Sequence, residues 1–308
     1  MGENLRSEQA VVMTAEALRR GMTKYGLDQQ GRRRLTRGIY ASGKEPIGLS
    51  TRARAVQVAS GETAILSHFT AARLLGGAVP HRSEIHVTVP GTKRVRRPGV
   101  VTHRTRRRIR TSVVRNLKVT DAVQTFLDLA CQLDLVDLVI LGDSLVAKKL
   151  SSPTELIEAA RTWRGVGVAL AREAAVLVRQ RVGSPRETRL RLLLVLAGLP
   201  EPTIDFRIYA AAGRVLFHLD LAYEEYKLGI EYDGRQHAES DSQWLHDVNR
   251  REYFDGHGWR LVIVIGQHFY PDPGGILDRV VKAARAQGMR IPDPDPQWRQ
   301  YFRSGITI

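Results

Sequence analysis

The stretch Leu219-Asp220-Leu221-Ala222-Tyr223-Glu224-Glu225-Tyr226-Lys227-Leu228-Gly229-Ile230-Glu231-Tyr232-Asp233-Gly234 sets two apolar runs on either side of a short polar turn. It predicts two β-strands, Val215 to Tyr223 and Tyr226 to Asp233, joined as an antiparallel hairpin. Asp220 and Glu231 are embedded in the apolar runs, where a carboxylate is costly unless it is paired, hydrogen-bonded or bound to a metal. A turn of even length centred between Glu225 and Tyr226 sets Asp220 opposite Glu231 on one face, about 5 Å apart at the backbone. Asp233 shares that face through the strand period of two. Two or three convergent carboxylates suit a hard divalent cation, Mg2+ or Mn2+, and leave positions for water and phosphate oxygen.

Working outward, Ser184-Pro185-Arg186-Glu187 reads as a helix start, with serine as the cap and proline in the first turn. Glu187 either completes that capping box or stands beside a site. The helix runs to about Ala197, Gly198-Leu199-Pro200 ends it, and Thr203 to Tyr209 forms another strand. Past the hairpin come Gly234-Arg235-Gln236-His237, a helix from about Asp241 to Gly256, a buried strand from Arg260 to Ile265 and a helix from Gly275 to Ala286. Asp247 and Arg251 are spaced to pair on the first of these helices, with Arg250 on an adjoining strip. Helix, three strands, helix, strand, helix is the order of a small α/β domain with a mixed sheet.

The segment from Ser184 to about Ala286 resembles the very-short-patch-repair-like endonucleases of the PD-(D/E)XK superfamily. The matching text is Ser184-Pro185-Arg186-Glu187-Thr188-Arg189-Leu190-Arg191, Leu219-Asp220-Leu221-Ala222-Tyr223, Ile230-Glu231-Tyr232-Asp233-Gly234 with His237, Asp247-Val248-Asn249-Arg250, and Gly258-Trp259-Arg260-Leu261-Val262. The resemblance implies a restriction-endonuclease-like fold, Asp220 and Glu231 as metal ligands, and Glu187 as a supporting acid. The superfamily pattern has lysine two residues after the third-strand acid, where this chain has Asp233. The lysine's work then falls to His237, which can transfer a proton, or Arg250, which can hold phosphate in a fork. Each also has a plainer reading, His237 as a polar turn residue and Arg250 as half of an ion pair.

The charge is lopsided. Of the 47 basic and 32 acidic residues, residues 1–110 carry 22 and 7, and residues 111–308 carry 25 of each, so the net +15 is all N-terminal. A basic front half points to a polyanion, most directly nucleic acid. Val11, Val12, Ala15 and Leu18 recur at helical spacing from Ser7 to about Arg20, and a second helix from Leu27 to Leu35 carries Arg32, Arg33 and Arg34. Arg37-Gly38-Ile39-Tyr40 then turns into a strand, the order of a winged helix-turn-helix with its basic helix in a major groove. Ser67 to Gly76 reads as a helix, and Ile85 to Val89 and Val100 to His103 as strands of a basic hairpin flanked by Arg94, Arg96, Arg97, Arg106, Arg107 and Arg108. His68, His86 and His103 match no known ligand spacing and are not read as a metal site. Helices follow from Thr120 to about Ala160, one of them starting at Ser152-Pro153, and a long helix from Val166 to Arg181 leads to Gly183.

This front portion resembles the AbiEi-type antitoxin and transcriptional regulator family. Leu35-Thr36-Arg37-Gly38-Ile39-Tyr40, Ser67-His68 with Thr70-Ala71-Ala72, and Thr120-Asp121-Ala122-Val123-Gln124-Thr125-Phe126-Leu127-Asp128-Leu129-Ala130 carry the likeness. It implies a DNA-binding winged helix followed by an accessory domain. The expected layout is therefore multidomain: a winged helix-turn-helix at 1–60, an α+β accessory domain at 61–165, a connecting helix at 166–183, the endonuclease-like α/β domain at 184–290 and a tail at 291–308.

The lone Cys131, in Leu-Ala-Cys-Gln, excludes a disulfide framework and reads as a small core residue of a cytoplasmic protein. No apolar run is long enough to span a membrane. The expected activity is metal-dependent hydrolysis of double-stranded DNA, with the arginines gripping phosphate. Double-strand cleavage ordinarily takes two active sites, which is compatible with a homodimer. The alternatives are a DNA-binding regulator or antitoxin that keeps a nuclease fold without catalysis, and a nuclease acting on RNA.

Overall fold

The computed structural model describes residues 11–13, 33–36, 39–41, 47–61, 63–91, 95–211, 213–233, 241–269 and 271–302. It is an α+β protein with two mixed sheets and a short antiparallel one. The chain divides into two compact units, Met1–Leu133 with Leu150–Ala175, and Asp134–Lys149 with Val176–Ile308. Among the described residues no helix is long and apolar enough to cross a membrane.

The first unit opens on three short strands, β1 (Val11–Met13), β2 (Arg33–Thr36) and β3 (Ile39–Ala41), in the order β1-β3-β2. Val12 pairs with Tyr40 on one side of β3 and Arg34 with Tyr40 on the other. This corrects two expectations. Val11 and Val12 lie on a strand, not on a helix from Ser7 to Arg20, and Arg33 and Arg34 lie on a strand, not on a helix from Leu27 to Leu35. Both segments gain ladder partners on the buried β3, and that pairing overrides local helical spacing. Arg32 and Arg37 lie outside the described residues.

Next come α1 (Leu49–Ser60), β4 (Ile65–Leu66), α2 (His68–Leu74), β5 (Ile85–Pro90), β6 (Val100–Thr105), β7 (Thr111–Val114) and β8 (Leu117–Thr120). The strands form a five-stranded sheet, β6-β5-β4-β8-β7. β5 and β6 are parallel, with Ile85 beside Val100 and Thr88 beside His103, so the expected basic hairpin is corrected to a parallel pair. Residues 91–99 separate the two strands, and nine extended residues reach up to about 30 Å, enough to return the chain to the start of a six-residue strand. Gly91 and Gly99, both at positive φ (72° and 71°), make the two corners of that return.

Asp121 caps α3 (Ala122–Leu129) by accepting the N–H of Gln124 at 2.8 Å. Ser152 likewise caps α5 (Pro153–Thr162), accepting the Glu155 N–H at 3.2 Å, with α4 (Leu135–Ala147) between them in sequence. Cys131 follows the end of α3 and is exposed, which corrects its placement in the core. The helix expected over Val166 to Arg181 is shorter, α6 (Val168–Leu177). α1 was not foreseen at all.

The second unit is built on α7 (Pro185–Leu196), β9 (Thr203–Tyr209), β10 (Val215–Tyr223), β11 (Leu228–Asp233), α8 (Asp241–Gly256), β12 (Arg260–Ile265), α9 (Gly266–Phe269) and α10 (Pro273–Ala286). Its sheet order is β12-β11-β10-β9, antiparallel except for the parallel pair β11 and β12. The expected helix, three strands, helix, strand, helix is present with nearly the expected bounds. Phe254 of α8 is buried against Ile208, Leu219 and Ala222, with Phe217, Tyr253 and Trp259 around them. α4 belongs to this unit, and its Asp143 accepts from the fully buried guanidinium of Arg191 at 2.9 Å, from the Thr188 hydroxyl at 2.9 Å and from the Arg179 N–H at 2.7 Å. Trp298 and Phe302, in the expected tail, are buried.

Candidate metal centres

The β10–β11 ladder pairs Tyr223 with Leu228, Ala222 with Gly229 and Leu221 with Ile230. Continued one step past its last paired residues, this register sets Asp220 opposite Glu231. At that step the Asp220 carboxylate accepts the Tyr232 N–H at 2.7 Å. Glu224–Tyr226 forms a single tight turn, closed by Lys227 at positive φ. Beside this pair, a Cβ at Gly229 would come within 2.7 and 2.9 Å of the Leu261 and Leu219 methyls, which close over the strand in the space glycine leaves.

The acids share one electrostatic environment. Burial raises the Asp220 carboxyl, while the Tyr232 N–H and Arg250 pull it back. Burial also raises Glu231, Arg250 lowers it, and the charges of Asp220 and Asp233 add to the rise. Glu187 is raised by burial and then by Asp220, which brings it within the influence of the same charges. It has a structural task as well, because its carboxylate accepts the Gly183 N–H at 2.8 Å while Ser184 accepts the Glu187 N–H at 3.2 Å. The capping reading of Glu187 therefore describes it, and its carboxyl also feels the charge of Asp220.

Arg250 of α8 donates to Glu231, is mostly buried, and lies over Phe254 at 5.5 Å and Phe217 at 6.0 Å. Its Nε is buried without a hydrogen-bond partner. Asp233 ends β11, and His237 lies outside the described residues. The sequence did not single out Tyr232, whose N–H holds Asp220 and whose ring lies under Arg186 at 5.3 Å.

Asp220 and Glu231 fit a hard cation on charge grounds. Two half-buried carboxylates, both raised by burial and Glu231 further by the charge of Asp220, leave a surplus of negative charge, which Arg250 offsets on Glu231. Two carboxylates are also what Mg2+ ordinarily takes from a protein that leaves room for phosphate.

A second cluster in the first unit corrects the reading of three histidines. Ser67 ends the β4 connection, His68 opens α2, His86 lies on β5 and His103 on β6. Because Thr88 pairs with His103 in the parallel ladder, and positions 86 and 88 share a face, the two strand histidines face the same way. Their donor atoms and that of His68 all lie within 4.8 Å of one another, the one such triad among the described residues, and can hold a metal ion. It is not a typical magnesium site. Burial, then the neighbouring imidazoles His103 and His86, pushes His68 down to about 2, and burial followed by His86 pushes His103 down to about 4.

Of the arginines expected to grip nucleic acid, Arg96, Arg106, Arg107 and Arg108 are exposed and Arg97 is half-buried. Arg97 donates to the Ala59 carbonyl at 3.4 Å, and Arg107 donates to the Arg164 carbonyl at 2.8 Å and lies over the Trp163 ring at 5.4 Å. Arg94 lies outside the described residues.

No family model matches the chain. It is similar to two uncharacterized proteins of Mycobacterium tuberculosis, one of strain CDC 1551 and one of strain H37Rv. Each is 27% identical over 266 residues, spanning 85% of this chain and 97% of the relative.

Proposed function

We propose that the chain is a metal-dependent DNA endonuclease whose second unit carries the catalytic site. The observation that supports this most is Asp220 opposite Glu231, two half-buried acids on adjacent strands, with Arg250 at Glu231. On this reading the second unit is a restriction-endonuclease-like domain, and the basic N-terminal region holds double-stranded DNA through its phosphates.

Asp220 and Glu231 would hold Mg2+ or Mn2+, which supplies a Lewis acid for the scissile phosphate and lowers the pKa of a bound water. The chain's own groups do the rest. The Tyr232 N–H fixes one oxygen of Asp220 and so orients the other. Arg250 pairs with Glu231, and its planar fork is suited to a phosphate oxygen bearing transition-state charge. His237 takes the proton of the attacking water or returns one to the leaving oxygen. Glu187 adds negative charge beside Asp220 and keeps the local cation affinity high.

One observation favours a second reading, a DNA-binding regulator with a non-catalytic nuclease fold. The ion pair of Arg250 with Glu231 neutralises one acid without any metal. Incubation of the chain with labelled duplex DNA and with RNA of the same sequence, with Mg2+ and with EDTA, separates the readings. DNA cut only with Mg2+ is the expected result. RNA cut in its place overturns the choice of polymer, and binding with no cleavage of either establishes the regulator.

A further inference from the structure

We propose that His68, His86 and His103 form a binding site for a nitrogen-preferring first-row divalent cation, Zn2+ above all, which fastens the start of α2 to strands β5 and β6. The site lies in the first unit and does not depend on the nuclease reading.

The geometry is that of a ligand set. His86 Nδ1 and His103 Nε2 are 3.0 Å apart. Two imidazoles on one tetrahedral zinc, each with a bond of about 2.0–2.1 Å, stand about 3.3 Å apart, so these two nitrogens need to part by only a few tenths of an ångström. The His68 ring is stacked on His103, with centroids 3.5 Å apart and planes at 12°. Its Nδ1 is 2.9 Å from Ser67 Oγ and 4.0 Å from an Asp128 oxygen, so Nε2 is the atom left for a cation.

The surroundings are those of an outer ligand shell. A histidine ligand usually donates its other N–H to an oxygen, which fixes the tautomer and the ring. Ser67 Oγ is so placed for His68, and it also accepts the Thr88 hydroxyl at 2.8 Å. Asp128 stands behind His68 at the distance of a charge partner. The backbone is held as well, because the Ser67 N–H donates to the His86 carbonyl at 3.1 Å and the His86 N–H to Thr70 Oγ1 at 2.9 Å. His68 keeps a φ of 50°, a conformation that costs energy for a residue with a Cβ and that a ligand role would repay. Three imidazoles without thiolate select zinc, cobalt or nickel over magnesium, and they leave a fourth position for water.

The test uses the full chain carrying Asp220→Ala and Glu231→Ala, so that cation binding at the acids contributes nothing. Co2+ is titrated and followed by its visible absorption, with Zn2+ as competitor, and thermal unfolding is recorded with and without Zn2+. The expected result is one equivalent of Co2+ with the intense bands of a four-coordinate ion, displaced by Zn2+, and a rise in the unfolding temperature. His103→Gln, on the partly exposed edge strand, is expected to abolish the bands while keeping the circular dichroism of the parent. Ser67→Ala is expected to weaken binding on the order of tenfold, as loss of an outer-shell partner does. No Co2+ bound, or binding unchanged in His103→Gln, overturns the proposal. Should His103→Gln not fold, the parent's Co2+ stoichiometry and the weakening in Ser67→Ala decide it.

Discussion

The Asp220 carboxylate accepts the Tyr232 N–H at 2.7 Å, so a side chain of β10 takes the place of a ladder partner at the step where Asp220 faces Glu231. The bond fixes the acid and frees the local backbone from strict pairing. If its job is orientation, shortening the link hurts more than its one hydrogen bond suggests. Asp220→Asn keeps an oxygen for Tyr232 and loses the charge, and is expected to fold as the parent does while losing nicking activity. Circular dichroism and plasmid nicking on the same preparation check this, and undiminished nicking in the folded variant contradicts it.

Arg250 is asked to do two things, neutralise Glu231 and hold phosphate. Arg250→Lys keeps the charge but loses the planar fork, so the unfolding midpoint should move little while the nicking rate falls about 10²-fold, the scale of one lost transition-state donor. A rate that changes only as far as stability does would leave Arg250 a structural ion pair.

Glu187 combines a helix cap with a place near Asp220, and the two can be pulled apart. Glutamine serves as well as glutamate in a capping box, so Glu187→Gln should stay within about 0.5 kcal/mol of the parent in urea unfolding. Losing its charge should cost on the order of tenfold in nicking rate, about 1.4 kcal/mol. Ser184→Ala, which touches only the cap, should cost about 1 kcal/mol of stability.

The fully buried Arg191 is paired with Asp143 of α4. Removing Asp143 alone takes away the more buried of the two acids paired with the guanidinium and leaves it the partly exposed Glu201, at 3.0 Å, so Asp143→Ala is expected to cost about 3 kcal/mol, the low end for a broken buried pair. The double variant with Arg191→Met should be far less destabilised than the sum of the two singles, since the stranded charge is gone. Additive losses in urea unfolding would contradict that account of the pair.

Asp205 tests electrostatics outside the site. Burial works against its ionisation, but hydrogen bonds from His218, Arg181 and Arg207 hold its carboxyl below the ordinary range. A depressed carboxylate contributes stability that is complete above the unfolded pKa near 3.8 and lost as pH falls through the folded value. Asp205→Asn tolerates the positive φ of 51° and removes the charge together with one acceptor oxygen. Its stability should therefore fall less steeply than the parent's on acidification below about pH 4.

The catalytic reading was open in the sequence because its geometry is local. Ten residues separate Asp220 from Glu231 through one tight turn, so strand period and turn length fix which side chains meet. Ser184 and Asp121 were legible for the same reason, as capping chemistry spans a single turn. The histidine triad was not. His68, His86 and His103 meet through a parallel strand pair, whose turn signals at Pro90-Gly91 and Pro98-Gly99 fit a hairpin as well as a return to a parallel partner. The N-terminal strands were misread because Val11-Val12 and Arg33-Arg34-Leu35 satisfy helical spacing, while β3, which decides the matter, lies downstream of both. Arg191 and Asp143 sit 48 residues apart, and neither carries a local sign of its partner.

The most direct test of the central claim is the nicking of supercoiled plasmid in Mg2+ or Mn2+, comparing the parent with Asp220→Ala and Glu231→Ala at equal DNA occupancy. The account predicts metal-dependent nicking by the parent that both substitutions abolish while DNA binding persists. Binding without nicking by the parent on duplex, mismatched and single-stranded DNA would contradict it.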